Sequence, residues 1–359
     1  MLIHHDLHTW EILVFSNLVS LTVAVCLFLS FLWAYDQLFF GPDPRCRLRD
    51  MDDANGTGVT EFILLGFSYL GAYQSALFWG VLFVYLVTLL GNSLIITLTL
   101  LDPALSTPMY FFLRHLSMIE ILYTTTIVPR MLTDLLCSHP AMSPASCFTQ
   151  MYFFILFGIA ECCLLTAMAY DRYAAIYQPL HYAMLMNRQA CVSMVGASYL
   201  MGIITGTTDS IFIFTLPFQG TNIVHHFLCD NLAVLRLTSG DTFWGEVANL
   251  AFTILFIVTP FALILFSYVQ ILITILGVAS AQGRQKVFST CSSHLMVVTL
   301  FFGTGTIAYM KLGASATQDT DQIVSLFYTV VTPMLNPFIY TLRNKEVMGA
   351  LRCKVIKHL

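Results

Sequence analysis

An acid and a base stand side by side at the end of a long apolar run. Asp171 and Arg172 follow the apolar residues 151–169 and are followed by Tyr173. A charged side chain at the centre of a bilayer is costly, so such pairs usually lie at helix ends or face a protein interior. We therefore interpret this pair as the mark of a boundary between lipid and water.

Four more polar side chains lie well inside apolar segments. Glu161 precedes Arg172 by eleven residues, which is roughly 16 Å along a helix. Glu120, Asn92 and Asn336 lie at comparable depths in three other segments. Isolated carboxylates there would be costly, so we expect all four to meet in the inner half of the membrane. Glu120 and Glu161 would suit a structural sodium ion or a shared proton, and a purely structural hydrogen-bonded cluster is the alternative.

The composition identifies an integral membrane protein. The 359 residues are 57% hydrophobic and 10% charged, with a mean hydropathy of +0.77, whereas soluble domains carry about 25% charged residues. The net charge of −4 comes without a basic stripe, so no nucleic-acid partner is expected. The ten cysteines include no C-x-x-C pair that would suggest zinc or an iron–sulfur cluster. We predict no cofactor beyond the possible sodium ion.

Seven apolar segments must position these groups. Each is long enough to cross a bilayer, which takes roughly 20 residues in a helix, and too long for the strand of a membrane barrel. The sequence therefore predicts an all-α membrane protein with a seven-helix bundle over residues 75–342. The segments are Ser75–Leu100, Met109–Leu136, Cys147–Tyr170, Cys191–Phe214, Val247–Leu276, Val287–Met310 and Ile323–Leu342.

The distribution of lysine and arginine gives the orientation. The side that carries more of them is expected to be cytoplasmic. Counted from Met51, Arg130, Arg236 and Lys311 lie on one side. On the other lie Arg114, Arg172, Arg188, Arg284, Lys286, Arg343, Lys345, Arg352, Lys354 and Lys357. This places the Asp171–Arg172 side in the cytoplasm and the N-terminus outside the cell.

The two ends of the chain differ in character. Residues 1–50 contain a further apolar segment and are interpreted as an extension outside the core, the alternative being an additional membrane anchor. Residues 51–74 form an extracellular N-terminus in which Asn55 begins a glycosylation sequon. Residues 343–359 space Val347, Leu351 and Val355 by four among basic residues, which predicts a short amphipathic helix on the inner leaflet.

Two cysteines fall on the predicted extracellular face. Cys147 begins the third segment, and Cys229 lies in the longest polar connection, residues 217–246. In an oxidising compartment a disulfide between them would tie this connection over the mouth of the bundle. Two free thiols are the alternative.

The outer half of the bundle is rich in aromatic and aliphatic residues. A pocket with such a lining would hold a small, largely apolar molecule with one or two hydrogen bonds. No carboxylate or lysine lies among the candidates, so neither a cationic amine nor a Schiff-base cofactor is expected. The candidate ligand-binding residues are Phe154, Ile155, Gly158, Ile159, Phe252, Thr253, Phe256, Phe302, Thr306 and Tyr309.

Six motifs along residues 55–359 resemble those of olfactory receptors, within the rhodopsin-like G-protein-coupled receptors. The resemblance implies a bundle that binds a small volatile odorant on the outside and activates a stimulatory G protein inside, raising cyclic AMP in sensory cilia. The motifs are Gly91-Asn92, the stretch 106–113 with Pro108, Leu116-Ser117-x-x-Glu120, Met168–Tyr173 with Pro179–Tyr182, Lys286–Leu295, and Pro333–Tyr340.

The resemblance also assigns roles to residues of this chain. It implies that Asp171, Arg172 and Tyr173 form a G-protein switch, joined by Asn336, Pro337 and Tyr340 of the last segment. It implies as well that Glu120 and Glu161 form the buried polar site. Cys147 and Cys229 would be the disulfide pair that the family shares.

The chain departs from the family in the long extracellular connection. Gln219 and Ser239 occupy the positions where the family usually has a second cysteine pair. The loop is therefore expected to be less constrained than in the relatives.

Two other classes of protein share some of these features. An ion-coupled secondary transporter of small solutes would also use intramembrane carboxylates and helix-kinking prolines, but such proteins tend to show two matching halves. A membrane hydrolase built on Ser198 would need a nucleophile elbow and oxyanion glycines that the sequence does not show around that residue. We therefore expect a receptor in the plasma membrane and not an enzyme.

Overall fold

The computed structural model describes residues 61–137, 140–218, 222–238, 243–276, 281–309, 318–342 and 347–349. Seven long helices account for most of this part of the chain, and they follow one another at the positions that the apolar segments predict. They are α1 (Gln74–Leu101), α2 (Pro108–Asp134), α3 (Pro144–Tyr177), α4 (Arg188–Thr215), α5 (Phe243–Thr253, Ile254–Val258 and Thr259–Leu276), α6 (Ala281–Tyr309) and α7 (Gln318–Leu326, Phe327–Val331 and Thr332–Leu342).

Six of these helices are long and apolar enough to cross a membrane. The remaining helix, α2, is more polar, since it carries Arg114, Glu120, Arg130 and Asp134. It packs against α1 and α3, so much of its surface is covered by protein. Burial within the bundle lets a helix of this composition lie at membrane depth, because its polar groups face other helices and not lipid.

The helix ends are set by local caps. Ser143 precedes α3, and its hydroxyl accepts a hydrogen bond from the backbone N–H of Ser146 at 3.2 Å. Asn187 does the same for α4, accepting from the N–H of Ala190 at 2.9 Å. Such caps satisfy one of the free N–H groups of the first helical turn. At its other end α3 continues past the predicted Tyr170 to Tyr177, so the Asp171–Arg172 pair lies within the helix.

Two helices contain a π-helical turn immediately before a Thr-Pro pair. In α5 the turn Ile254–Val258 precedes Thr259 and Pro260, and in α7 the turn Phe327–Val331 precedes Thr332 and Pro333. Proline removes a backbone donor and crowds the preceding turn, and widening the helix relieves this crowding. The Thr259 and Thr332 hydroxyls each donate to the carbonyl oxygen five residues earlier, at 2.9 and 3.2 Å. Both irregular turns are therefore hydrogen-bonded within the helix.

A small three-stranded sheet joins three segments of the chain at the end of the bundle where α1 begins. Its strands are β1 (Phe62–Leu64), β2 (Ala141–Met142) and β3 (Ile223–Val224), in the order β2-β1-β3. β1 is antiparallel to β2 and parallel to β3. The sheet ties the segment before α1 to the connections that precede α3 and follow α4.

Parts of the predicted organisation lie outside the described residues. Residues 1–60, with the extension 1–50 and the sequon at Asn55, are among them. Of the tail 343–359, the structure describes residues 347–349, where Val347 is buried. The amphipathic tail helix and the glycosylation of Asn55 therefore stay predictions.

Close packing of α3 against α4 depends on two glycines. A Cβ atom added at Gly202 would overlap the main-chain carbonyl of Leu156, and one added at Gly206 would lie 2.9 Å from the carbonyl oxygen of Tyr152. Small residues at such contacts let membrane helices approach closely. Gly196, on the same helix, has open space where its Cβ would be.

We expect Gly202→Ala to destabilise the bundle by about 1–3 kcal/mol, because the added methyl group forces the two backbones apart. Gly196→Ala is the matched control and should behave like the unaltered protein. Heat unfolding of the detergent-solubilised protein and surface expression would measure both. Equal unfolding temperatures for the two variants would show that α3 and α4 do not pack as described.

Candidate functional site

A cavity lies between the helices in the outer half of the bundle. Its empty volume is about 770 Å³, part of which is open to solvent, and its lining is largely apolar, as is usual for small-molecule sites. α3, α5 and α6 supply most of its lining, and the connection after α4 contributes Asn231. Among the lining residues are nine of the ten that the sequence suggested: Phe154, Ile155, Gly158, Ile159, Phe252, Thr253, Phe256, Phe302 and Tyr309.

The prediction for Thr306 is wrong, because this residue does not line the cavity. α6 contributes Phe301, Phe302, Gly305 and Tyr309 instead. Successive residues of a helix are rotated by about 100°, so Thr306 lies beyond the edge of the face that these four residues share.

The sequence analysis also missed the polar residues of the cavity. It expected no carboxylate there, but Asp209 of α4 lines the cavity together with Asn231 and Asn249. The Asn231 side-chain amide donates to Oδ2 of Asp209 at 3.3 Å and to Oδ1 of Asn249 at 3.0 Å. An acid within an apolar segment was the available signal, since intramembrane carboxylates generally face the protein interior.

A second carboxylate lies just behind the cavity wall. Asp230 is buried in the connection between α4 and α5, and its Oδ1 accepts a hydrogen bond from the Tyr309 hydroxyl at 3.1 Å. The Tyr309 hydroxyl also lies 3.2 Å from that of Tyr328. The pKa of Asp230 is raised to about 6, chiefly by burial and also by the nearby Asp209, while the Tyr309 hydrogen bond opposes the shift.

The connection between α4 and α5 is held in place by several contacts. Cys147 and Cys229 form a disulfide with their Cα atoms 5.5 Å apart. Gln150 accepts a hydrogen bond from the Cys229 N–H at 2.9 Å. His226 Nε2 lies 3.1 Å from the Ser325 hydroxyl of α7, and burial lowers the pKa of this histidine to about 4. These contacts position the described part of the loop although Gln219 and Ser239 replace the family's second cysteine pair.

The predicted inner polar site is assembled from four helices. Asn336 of α7 donates a hydrogen bond to Oε1 of Glu120 on α2. Asn92 of α1 donates to the Pro333 carbonyl at 3.4 Å, and Glu161 of α3 lies close enough to interact electrostatically with Glu120. All four side chains are about 1% exposed.

Several oxygens in this inner site lack a described hydrogen-bond donor. They are Oε2 of Glu120, both carboxylate oxygens of Glu161, and the side-chain oxygens of Asn92 and Asn336. Unpaired buried oxygens are costly, and a hard cation or a shared proton would satisfy them. The oxygen atoms available as ligands therefore fit the sodium ion that the sequence suggested.

Toward the C-terminal end of α3, Asp171 lies between two partners. Its Oδ2 lies 3.8 Å from Arg172 Nε, and its Oδ1 accepts a hydrogen bond from the Tyr182 hydroxyl at 2.8 Å. Asp171 is 1% exposed. Tyr173 points along the same helix, where its ring stacks on that of Tyr177 with centroids 5.0 Å apart.

Side chains from three other helices approach Arg172. The Tyr268 hydroxyl of α5 lies 2.6 Å from Nδ1 of His294 on α6, and both groups interact electrostatically with the guanidinium. Tyr340 of α7 is buried beside them and interacts with the same charge. Arg172 of α3 thus lies near side chains of α5, α6 and α7.

Pro337, which the resemblance assigns to the switch, makes a close helix contact. A Cβ atom at Gly91 of α1 would lie 2.9 Å from the Pro337 side chain. The proline therefore packs directly on the α1 backbone, one residue after Asn336.

Comparison with known proteins gives a consistent result. The sequence profile of the family described as "Olfactory receptor" matches residues 81–358. Olfactory receptor 10P22 of Mus musculus is 67% identical over 309 residues, covering 86% of this chain and 99% of the relative. Olfactory receptor 10P1 of Homo sapiens is 60% identical over 303 residues, covering 84% and 97%, and olfactory receptor 10A7 of Homo sapiens is 52% identical over 298 residues, covering 83% and 94%.

The pKa of Asp230 leads to a pH prediction. A carboxyl group whose pKa is raised on folding destabilises the folded state above that pKa, and this cost disappears as the pH falls toward the unfolded value near 4. Asp230→Asn keeps an acceptor for Tyr309 and removes the charge. At pH 7.5 we expect this variant to be more stable than the unaltered protein, by on the order of 2–3 kcal/mol.

The stability gap should narrow steadily between pH 6 and pH 4, as heat unfolding in detergent would show. Asp319→Asn, an exposed acid on the same side of the molecule, is the control and should show no comparable gap. A gap for Asp230→Asn that does not change with pH would contradict the assignment of the titration to this group.

Proposed function

The chain belongs to the olfactory receptor family, and on that premise we propose that it is an odorant-activated receptor that couples to a stimulatory G protein and raises cyclic AMP. The observation that carries this proposal is the placement of two sites in one bundle. A cavity lies at one end of the bundle, and the Asp171–Arg172 pair, whose acid is buried, lies toward the other end. We further propose that the protein acts in the plasma membrane of sensory cilia, with its N-terminus outside.

The cavity supports a small, largely apolar ligand. Phe154, Phe252, Phe256 and Phe302 line its walls, and glycines at 158 and 305 leave room between them. The ten residues suggested by the sequence, apart from Thr306, are therefore our candidates for odorant contact.

A mechanism follows from the irregular turns of α5 and α7. Phe256 and Ile257 of the α5 π-turn and Tyr328 of the α7 π-turn all line the cavity. A ligand shifts a conformational equilibrium only if it binds one state more tightly than the other. We propose that the odorant favours a state in which these turns are repacked and the helices below them move.

The cytoplasmic switch is the proposed output of this motion. In the structure Arg172 lies beside Asp171 and beneath the Tyr268–His294 pair, which belongs to α5 and α6. Movement of α5 or α6 would separate these groups and expose the guanidinium to a G protein. Asn336, Pro337 and Tyr340 would transmit the corresponding motion of α7.

The inner polar site has a proposed structural role. Glu120, Glu161, Asn92 and Asn336 would hold a sodium ion, which would supply positive charge to their unpaired oxygens. A proton shared by the two acids would serve the same purpose.

The first experiment is a screen of small volatile molecules with a cyclic AMP reporter in cells that express the full chain. We expect at least one odorant to raise cyclic AMP. Arg172→Ala should abolish the response while odorant binding to the purified protein is retained, because Arg172 lies at the far end of the bundle from the cavity. Uptake of labelled solute without a cyclic AMP response would instead favour an ion-coupled transporter.

Filling the cavity provides the second test. A Cβ at Gly158 would meet its nearest neighbour, the Tyr123 ring, at 3.9 Å, so Gly158→Leu is expected to fold and to occupy ligand space. We expect it to raise the half-maximal concentration of the larger odorants about tenfold or more. Gly303→Leu, whose Cβ would meet open space, is the control. Unchanged potency in Gly158→Leu would place the odorant elsewhere.

A further inference from the structure

We propose that the cavity recognises a protonated amine, with Asp209 as its counter-ion, so that the preferred odorants carry an ammonium group on a small apolar body. This inference rests on the proposed function in one respect, because it takes the cavity as the odorant site. The proposal reverses the expectation from the sequence. That expectation excluded cationic amines because no carboxylate was among the candidate residues.

Asp209 combines burial with access to the cavity. It is 6% exposed, yet its side chain forms part of the cavity lining. Its one described hydrogen-bond donor is the Asn231 amide, at a long 3.3 Å. A carboxylate removed from water needs several donors or an opposite charge to offset the cost of burial. The side chain therefore has the capacity to accept a further donor from the cavity.

No lysine or arginine among the described residues forms a salt bridge with Asp209 or Asp230. The salt bridges Arg130–Asp134 and Arg172–Asp171 lie at other sites in the bundle. Asp209 and Asp230 instead interact unfavourably with each other. Their charges add at one end of the cavity, so the potential there attracts a cation.

The two carboxylates have different surroundings. Asp230 accepts a hydrogen bond from the Tyr309 hydroxyl at 3.1 Å and directly precedes the short helix Asn231–Leu235 of the connection after α4. This hydrogen bond joins the connection to α6. Asp209 faces the cavity itself, which makes it the group that a ligand would contact.

The rest of the cavity suits the remainder of such a ligand. Asn249 lies beside Asp209 and adds a neutral acceptor, since its Oδ1 already accepts from Asn231 and has a second lone pair. The aromatic rings of Phe252, Phe256 and Phe301 line the adjoining wall. Aromatic faces attract cations and also pack against hydrocarbon, so they suit a short alkyl or aryl amine.

An alcohol would be a poorer ligand than the amine of the same shape. A hydroxyl can donate one hydrogen bond to Asp209, but it leaves the buried negative charge without a counter-charge. An ammonium supplies three donors and a positive charge. Since hydrogen bonds to charged groups contribute about 1.5–3 kcal/mol, we expect the amine to bind roughly 10- to 100-fold more tightly.

The test measures binding directly, without signalling. The full chain is purified in detergent, and its heat unfolding is followed with increasing concentrations of matched pairs, hexylamine with hexanol and phenylethylamine with phenylethanol. The half-saturating concentration of each amine should be roughly 10- to 100-fold below that of its alcohol. Equal values for the two members of each pair, or stabilisation by neither, would overturn the proposal.

Variants assign the preference to Asp209. Asp209→Asn keeps the shape and removes the charge, so it should lose the preference for amines while alcohol binding is retained. Asp209→Glu should keep the preference, and Asp319→Asn, an exposed acid outside the cavity, should leave it unchanged. Alcohol binding and the unfolding temperature without ligand show whether each variant is folded. An amine preference that survives in Asp209→Asn would contradict the assignment.

A parallel cyclic AMP measurement separates this inference from the proposed function. Amine binding that depends on Asp209 without a cyclic AMP response would support the inference and contradict the proposed signalling. A cyclic AMP response to neutral odorants, with no preference for amines and no effect of Asp209→Asn, would support the receptor function and overturn the inference.

Discussion

Polar groups that lie at membrane depth must find their partners inside the bundle, and this constraint shapes the structure. Glu120 of α2 faces other helices and not lipid, and the Asn336 side chain of α7 donates a hydrogen bond to it. Asp171 is held between Arg172 and Tyr182 for the same reason. The Asn336–Glu120 contact joins helices that are far apart in the sequence, whereas the partners of Asp171 lie close to it along the chain. The site proposed for ion binding is thus also a contact that holds the bundle together.

A related constraint applies to the connection between α4 and α5, because a loop beside a cavity defines the shape of the cavity only if the loop is fixed in place. The Cys147–Cys229 disulfide fixes one point, and the pairing of β3 with β1 fixes another. Hydrogen bonds from the loop to α4 and α7 supply the rest, through Asn231 and His226. Each of these contacts removes freedom from the loop, which explains how it is positioned without the second cysteine pair.

The helices that connect the two ends are not uniform rods. The π-turns of α5 and α7 each precede a Thr-Pro pair, and each contributes to the cavity lining. The threonine hydroxyl bonds a carbonyl within its own helix, so the irregularity does not leave that carbonyl without a donor. A widened turn has fewer regular helical bonds than an ideal one, which makes these places suited to a change of packing.

The sequence alone determined the helices and the face of α3 that lines the cavity, because apolar length and helical spacing are local properties. It also singled out Glu120 and Asn336, since polar residues in apolar segments are conspicuous. The tertiary structure decided what depends on rotation and long-range contact. It shows that Thr306 does not line the cavity, that Asp209 does, and that the Tyr309 hydroxyl donates a hydrogen bond to Asp230. Helix rotation is set by packing against neighbouring helices, and one sequence does not specify that packing.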